Sequence, residues 1–429
     1  MSLVYLENKK YFYHIDSNRI IHSGIRDIFL TNLPGKTIEW DFPPLDPGTI
    51  RSGIQHLHQI IFETTKQCNM SCKYCIYGHN YHLQRKPSNQ ILSFATAAKT
   101  LDYIGSLIGS RSKKELVIGF YGGEPLLNFS VLRQITDYCR SIFPGWLLQF
   151  TLTTNGTLLN ETVIHFLIDY GFNLMVSLDG DRDNHDAKRV FPDGSGSFET
   201  ILKKTRKIKE IDRDFYSKHV TFLITHSRDL PIGKVYDFFN EDERVRENPL
   251  ILNFVNHLDT TYYEENQFDE GVSKREINEI LRKIMDKKAG GVPLSAIEEN
   301  LFNLASEVEE QLKKRYISFL ADSCLFNKRL YVDAEGGFHI CEKMNDRFPL
   351  GNCHTGFNFE RMSEIAGEFA ALIKEKCIDC EARFLCNRCY IHFAGDGKFE
   401  LNPAFCEMNK KIVKRLELLI KLKQRRLLP

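Results

Sequence analysis

Three cysteines fall within eight residues, in the run Cys68-Asn69-Met70-Ser71-Cys72-Lys73-Tyr74-Cys75, at the spacing C-x3-C-x2-C. So short a run delivers three thiolates from one loop, and thiolates are soft ligands suited to iron–sulfur clusters or zinc. A [4Fe–4S] cube has four irons, so three ligands leave one iron without a protein partner. Such an open corner accepts a substrate or cofactor, as open positions do in other metalloenzymes. A zinc knuckle is the plainer use of the same residues.

The wider cysteine distribution sharpens the question. Of twelve cysteines, three lie at 68–75, one is Cys139, and eight lie between Cys324 and Cys406, with none between Cys139 and Cys324. Two metal-binding regions separated by a long cysteine-free stretch are expected, since disulfides are rare in a reducing compartment. A formal net charge of +1 gives no overall field for nucleic acid or an anionic membrane. No apolar run is long enough to span a bilayer, and no signal sequence opens the chain. A cytoplasmic protein with no nucleic-acid or membrane partner follows as the expectation.

Past Gln59 the chain alternates short apolar strands (59–65, 115–121, 147–153, 173–178, 219–225 and 251–255) with helix-periodic stretches (92–108, 128–143, 160–170, 197–211 and 230–239). This is the pattern of βα units around a parallel sheet. Six units are too few for a closed eight-unit barrel. The fold class expected is therefore α/β, a partial (β/α)6 barrel over residues 56–260, followed by a small cysteine-rich domain over 320–410. A charged helical bridge (261–319) joins them, a basic helix (411–429) ends the chain, and residues 1–55 carry a β-hairpin. That hairpin is either a peptide-binding element or a structural one. In parallel α/β sheets active sites lie at the carboxyl ends of the strands. The cysteine run follows the first strand directly. Tyr121-Gly122-Gly123-Glu124-Pro125, Thr153-Thr154-Asn155-Gly156 and Ser177-Leu178-Asp179-Gly180 follow the second, third and fourth, so all four motifs share one mouth.

Taken together, the cysteine run with Tyr74 before its last cysteine and the Gly-Gly-Glu-Pro turn resemble the radical S-adenosylmethionine (SAM) enzymes. The resemblance covers roughly residues 60–230. It implies a cluster at Cys68, Cys72 and Cys75 whose open iron chelates SAM, and an electron that cleaves SAM to a 5′-deoxyadenosyl radical. It also implies that Gly122, Gly123 and Glu124 hold the SAM amino group. Ser177 would contact ribose or carboxylate, Asn155 would form a polar wall beside Tyr74, and Arg189 would pair with the carboxylate as a fork donor. Asp179 is either a further contact or a turn former.

The second region, Cys324-x11-Gly336-x4-Cys341, then Cys377-x2-Cys380-x5-Cys386-x2-Cys389, then Cys406, resembles the SPASM extension of peptide-modifying radical SAM enzymes. It departs in one place, with two residues rather than three between Cys386 and Cys389. The resemblance implies two auxiliary [4Fe–4S] clusters. Cys377, Cys380, Cys386 and Cys406 would hold the distal one, and Cys324, Cys341 and Cys389 the near one, with Cys353 the remaining candidate to close it. A structural zinc site built on the two C-x2-C pairs is the alternative. Cys139 fits a helix core. Glu342, next to Cys341, is a candidate base, or else a salt-bridged structural carboxylate; sulfatase-maturing relatives carry aspartate there.

The expected function is a SPASM-type maturase that cross-links a ribosomally made precursor peptide, with a thioether favoured over a carbon–carbon bond. Its partners would be that peptide and an electron donor such as flavodoxin or ferredoxin. The alternatives are an anaerobic sulfatase-maturating (formylglycine-forming) enzyme, and an iron–sulfur electron carrier or zinc-stabilised binding protein.

Overall fold

The computed structural model describes residues 3–6, 11–15, 19–22, 39–41, 45–109, 112–256, 260–313, 316–318, 328–411, 416–417 and 420. Six parallel strands form its centre: β1 (Gln59–Thr65), β2 (Glu115–Gly122), β3 (Leu147–Thr154), β4 (Asn173–Ser177), β5 (Val220–His226) and β6 (Leu250–Phe254). Each pairs with its neighbour in sequence order. In β1 every residue from Ile60 to Thr65 is buried, because a parallel strand is covered on both faces. The expected strands and helices are present, with ends shifted by a residue or two.

The crossover helices are α1 (Phe94–Ile108), α2 (Phe129–Ile142), α3 (Glu161–Asp169), α4 (Arg182–Lys188), α5 (Phe198–Ile211) and α6 (Ile232–Glu241). Ser93 caps α1 by accepting from Thr96 N, and Asn160 caps α3 by accepting from Val163 N. Cys139 is fully buried on α2. Phe172 stacks between Phe120 (5.9 Å) and Phe150 (5.3 Å), all three sealed from solvent. These rings pack the strands against the helix layer.

The outer edge, β6, is covered by the second helix of the bridge. That bridge consists of α7 (Glu270–Ala289) and α8 (Ala296–Lys313), separated at Gly291, whose φ is +71°. Asn300 of α8 donates to Leu250 O at 2.8 Å and accepts from Leu252 N at 3.3 Å, satisfying an otherwise open ladder.

At the other edge the cysteine-rich region enters the barrel's own sheet. Strand β7 (Arg329–Val332) pairs parallel to β1, and β8 (Gly337–His339), β9 (Gly351–Asn352) and β10 (Gly356–Phe357) continue antiparallel. The sheet thus holds seven parallel strands and runs unbroken into the C-terminal region, which the strand count at the sequence level did not include. Beyond it lie α9 (Phe359–Cys377) and α10 (Pro403–Lys410). The N-terminal hairpin is a three-stranded antiparallel sheet, Leu3–Leu6, Tyr11–His14 and Arg19–His22. Most of the basic tail lies outside the described residues. Among the described residues no helix is long and apolar enough to cross a membrane.

Two predictions follow from this packing. Phe172→Ala should lower unfolding stability by about 3–5 kcal/mol, read by urea denaturation. His226 at the end of β5 is buried, with its ring 5.8 Å from that of Phe254. Burial pushes its pKa down from 6.5 to about 4. The fold therefore keeps this imidazole neutral while the unfolded chain takes up a proton, and stability falls as pH drops below about 6.5. Compared with His226→Phe, the wild type should lose roughly 2 kcal/mol between about pH 6.5 and 5.

Candidate functional site

The cysteine loop leaves the carboxyl end of β1 and is clamped on both sides. Ser71 N donates to Val190 O at 2.8 Å and Lys73 N to Lys188 O at 2.9 Å, pinning the loop to the segment after α4. On the other side Gly123 N donates to Thr65 O (3.0 Å) and Glu124 N to Gln67 O (2.8 Å). The two glycines make that approach possible. A Cβ on Gly122, whose φ is +133°, would lie 2.3 Å from Thr65 O, and one on Gly123 would lie 2.0 Å from Gln67 O. No side chain fits there. The pair seats the cysteine loop against β2.

Glu124, expected at the SAM amino group, is fully buried. Its carboxylate accepts from Thr154 Oγ1 (2.7 Å), Asn155 N (2.8 Å) and Leu126 N (3.0 Å). Burial pushes its pKa up against the pull of those donors. It ties the end of β2 to the end of β3 and is not among the residues lining the cavity. Asn155 reaches the cysteine loop: Nδ2 donates to Asn69 Oδ1 at 2.9 Å and lies 4.0 Å from Cys68 Sγ. Asn69 in turn donates to Thr157 Oγ1 at 2.9 Å.

Asp179 is a buried hub. One carboxylate oxygen accepts from Tyr74 OH and from Arg189 Nε (2.9 Å), and the other from Thr225 N (2.9 Å). Arg189 also points Nη1 at Cys72 Sγ, 3.9 Å away. Burial disfavours the guanidinium charge, but Asp179 and the neighbouring Tyr74 and Cys72 more than offset this and hold Arg189 protonated. Burial also pushes the Cys72 thiol up to about 11 despite Arg189, so this thiol is neutral until a metal takes it as thiolate. Behind the hub, buried His185 is held neutral by desolvation. Its Nδ1 accepts from Asp179 N (3.2 Å), and its Nε2 meets Ser197 Oγ (2.9 Å), which donates to Arg189 O (2.9 Å). Arg189 is therefore committed to Asp179 and the cysteine loop. Neither Asn69 nor His185 was visible as a partner in the sequence, because both act through the folded loop.

A cavity of about 1220 Å³ opens over this floor. Cys68, Cys72 and Cys75 line one side together with Asn155, Ser177 and Arg189, and the far wall includes Arg329, Glu342 and His392. Glu342 is largely buried and lies 3.7 Å from Arg329 Nη1, while its Oε2 has no hydrogen-bond partner among the described residues. Its main-chain carbonyl accepts from Tyr77 OH (2.9 Å) and from Arg85. The two ends of the cavity are thus linked by the segment just after the cysteine run.

In the C-terminal region Cys377, Cys380, Cys386 and Cys406 lie within electrostatic reach of one another. Cys353 follows β9 directly. It stands across the hairpin from Gly336, with Cys353 N donating to Gly336 O (2.8 Å), on the side facing Thr96 and Lys99. Cys324 lies outside the described residues. Cys389 precedes the short turn Tyr390–His392 at the cavity wall. Among the described residues no three His, Cys, Asp or Glu side chains converge as a single-ion site.

Residues 62–239 match the Radical SAM superfamily. That segment is a radical SAM domain. The domain implies SAM and one [4Fe–4S] cluster. The donor set here fits them: three thiols from one loop, a glycine turn behind that admits no side chain, and a cavity in front whose lining includes Asn155, Ser177 and Arg189. Uncharacterized protein MJ0907 of Methanocaldococcus jannaschii is 31% identical over 179 residues, 42% of this chain, and the match spans 56% of that relative's length. The radical SAM cyclopropyl synthase TigE of Paramaledivibacter caminithermalis is 25% identical over 389 residues, 84% of this chain and 74% of TigE. A cysteine-type anaerobic sulfatase-maturating enzyme of Clostridium perfringens is 23% identical over 378 residues, 83% and 95% of the two chains. Among solved structures, native anSMEcpe with bound AdoMet and Kp18Cys peptide superposes with a TM-score of 0.61 at 19% identity, covering 86% of this chain and 99% of that one. Streptococcus suis SuiB bound to precursor peptide SuiA gives 0.52 at 13% identity, covering 84% and 78%. At these identities the structures establish a shared fold.

The placement of Glu124 makes a testable distinction. Glu124→Gln should cost about 1–3 kcal/mol of stability, since a buried donor loses its acceptor, while SAM affinity measured calorimetrically under anaerobic conditions stays within threefold. Weaker SAM binding at unchanged stability would make Glu124 a direct ligand instead.

Proposed function

We propose that this protein is a SPASM-type peptide maturase that cross-links a ribosomally made precursor peptide, with a cysteine thioether as the product. The observation that carries the reading is the single cavity running from the three-thiol loop to Glu342 beside Cys341. Glu342, His392 and Met408, which line that cavity, are sequence neighbours of Cys341, Cys389 and Cys406. When bound, SAM and the clusters supply the 5′-deoxyadenosyl radical that removes a hydrogen atom, and an acceptor for the electron left when the new bond closes.

The chain's own residues would orient and deprotonate. In this reading Tyr74 and Arg189, fixed on Asp179, brace the loop bearing Cys68, Cys72 and Cys75. Gly122, Gly123, Asn155 and Ser177 form the polar surface over which SAM lies. Glu342, ion-paired to Arg329 at 3.7 Å through an oxygen that has no hydrogen-bond partner among the described residues, takes the thiol proton of the substrate cysteine. Cys377, Cys380, Cys386 and Cys406 hold the distal auxiliary cluster, and Cys324, Cys341 and Cys389 hold the near one. In this reading Cys353, which faces Thr96 and Lys99, stays outside the near set, and the position left open there takes a substrate thiolate, which favours a thioether over a carbon–carbon bond. A flavodoxin or ferredoxin would supply the electron that starts turnover.

The similarity to sulfatase-maturating enzymes, which extends over most of both chains, supports the second reading, oxidation of cysteine or serine to formylglycine. One experiment separates the two. The reconstituted enzyme, SAM and dithionite are incubated with a cysteine-containing precursor encoded beside the gene, and in parallel with a sulfatase-motif peptide. Loss of two hydrogens with protection of a thiol from alkylation is the outcome expected here. An aldehyde trapped from the sulfatase peptide, with the precursor unchanged, would establish the other reading. Glu342→Gln should lower cross-linking by about 10²–10⁴-fold while leaving reductive SAM cleavage intact.

A further inference from the structure

All three thiols of the cysteine loop are met by N–H donors, and one of those donors carries a charge. The Met70 N–H reaches Cys68, and the Tyr77 and Gly78 N–H groups reach Cys75, each favouring the thiolate. Side chains from beyond the third and fourth strands add to this set. Asn155 Nδ2, bonded through one hydrogen to Asn69 Oδ1 at 2.9 Å, lies 4.0 Å from Cys68 Sγ. Arg189 Nη1 lies 3.9 Å from Cys72 Sγ. Both side chains are buried, where water screens such interactions least.

Arg189 is fixed in that position. Nε donates to Asp179 at 2.9 Å, Asp179 accepts from Thr225 N at 2.9 Å, and Ser197 Oγ donates to the Arg189 carbonyl at 2.9 Å. The ion pair thus presents its positive end to Cys72, where the guanidinium favours the thiolate more than Asp179 opposes it. A neutral thiol is a weak acceptor for a guanidinium. A metal-bound thiolate is a strong one.

We propose that Arg189 and Asn155 donate hydrogen bonds to the Cys72 and Cys68 sulfurs of the radical SAM cluster and raise its reduction potential, Arg189 by more. The inference rests on assigning that cluster to Cys68, Cys72 and Cys75, and holds whichever peptide is modified. Reduction adds one negative charge to the cluster, and N–H donors and positive charge beside its sulfurs stabilise that charge. A charge-assisted hydrogen bond is about twice as strong as a neutral one, so the guanidinium outweighs the amide. Arg189 therefore works through two nitrogens: Nε braces the hub at Asp179, and Nη1 tunes the cluster.

The test is a redox titration followed by electron paramagnetic resonance on the full chain, reconstituted anaerobically and without SAM. Wild type is compared with Arg189→Lys, Arg189→Met and Asn155→Ala. A second sample identifies the cluster as the signal that changes when SAM is added and that Cys72→Ala abolishes. Its reduction equilibrium should shift at least tenfold toward the oxidised form in Arg189→Met, or 59 mV for one electron. Asn155→Ala should shift it about threefold in the same direction. Arg189→Lys keeps the charge without the fork and should fall between wild type and Arg189→Met. Signals that do not respond to SAM should not move. In wild type grown on isotopically labelled arginine, the reduced cluster should show a nitrogen coupling, a readout that depends on no variant folding. Unmoved potentials and no coupling, with the signal still lost in Cys72→Ala, would overturn the tuning role alone. A SAM-responsive signal that survives Cys72→Ala would place the cluster elsewhere, and the inference would fall with that assignment.

Discussion

Everything in the site depends on two backbones coming closer than side chains allow. The Gly122-Gly123 turn at the end of β2 lies against Thr65 and Gln67, where any Cβ would be 2.0–2.3 Å from a carbonyl oxygen. That contact fixes the direction in which the cysteine loop leaves β1, and so where three thiols stand. Two hydrogen bonds hold it from the β2 side and two from the segment after α4. The loop is therefore a rigid cradle built from three strand ends, which suits a cluster that must present one iron in a constant direction.

The second constraint is electrostatic. Arg189 and Asp179 are both buried, and one such charge without the other would be strongly destabilising. Their pairing also positions Tyr74, and the remaining guanidinium reach falls on Cys72. Buried His185 completes the support from behind, binding Asp179 N through one ring nitrogen and Ser197 through the other. Arg189 also lines the cavity, and the sequence shows it after the fourth strand but not what faces it.

Much of the architecture was legible before any coordinates. The apolar strand runs and 3.6-residue helix periods depend on local pattern, so the six central strands and their crossover helices were readable to within a residue or two. The cysteine spacings were readable for the same reason. What escaped were features decided by non-local pairing. Arg329–Val332 was not among the strands read from the sequence, yet it lies beside β1, some 270 residues earlier in the chain, and fuses the cysteine-rich region to the barrel sheet. The sequence offered Cys353 as the remaining candidate for the near set but could not show that its main chain pairs with Gly336. Glu124 carries a motif that suggests a ligand contact, and only its three buried donors reveal a brace. Arg85 belongs to no motif at all.

The central claim is that this chain carries three clusters, one at the radical SAM loop and two in the C-terminal region. Iron and acid-labile sulfide per chain, measured on protein purified and reconstituted without oxygen, test it most directly. The account predicts about twelve of each. About four irons, with zinc bound by the C-terminal cysteines, would leave a radical SAM domain beside a structural metal site and contradict it.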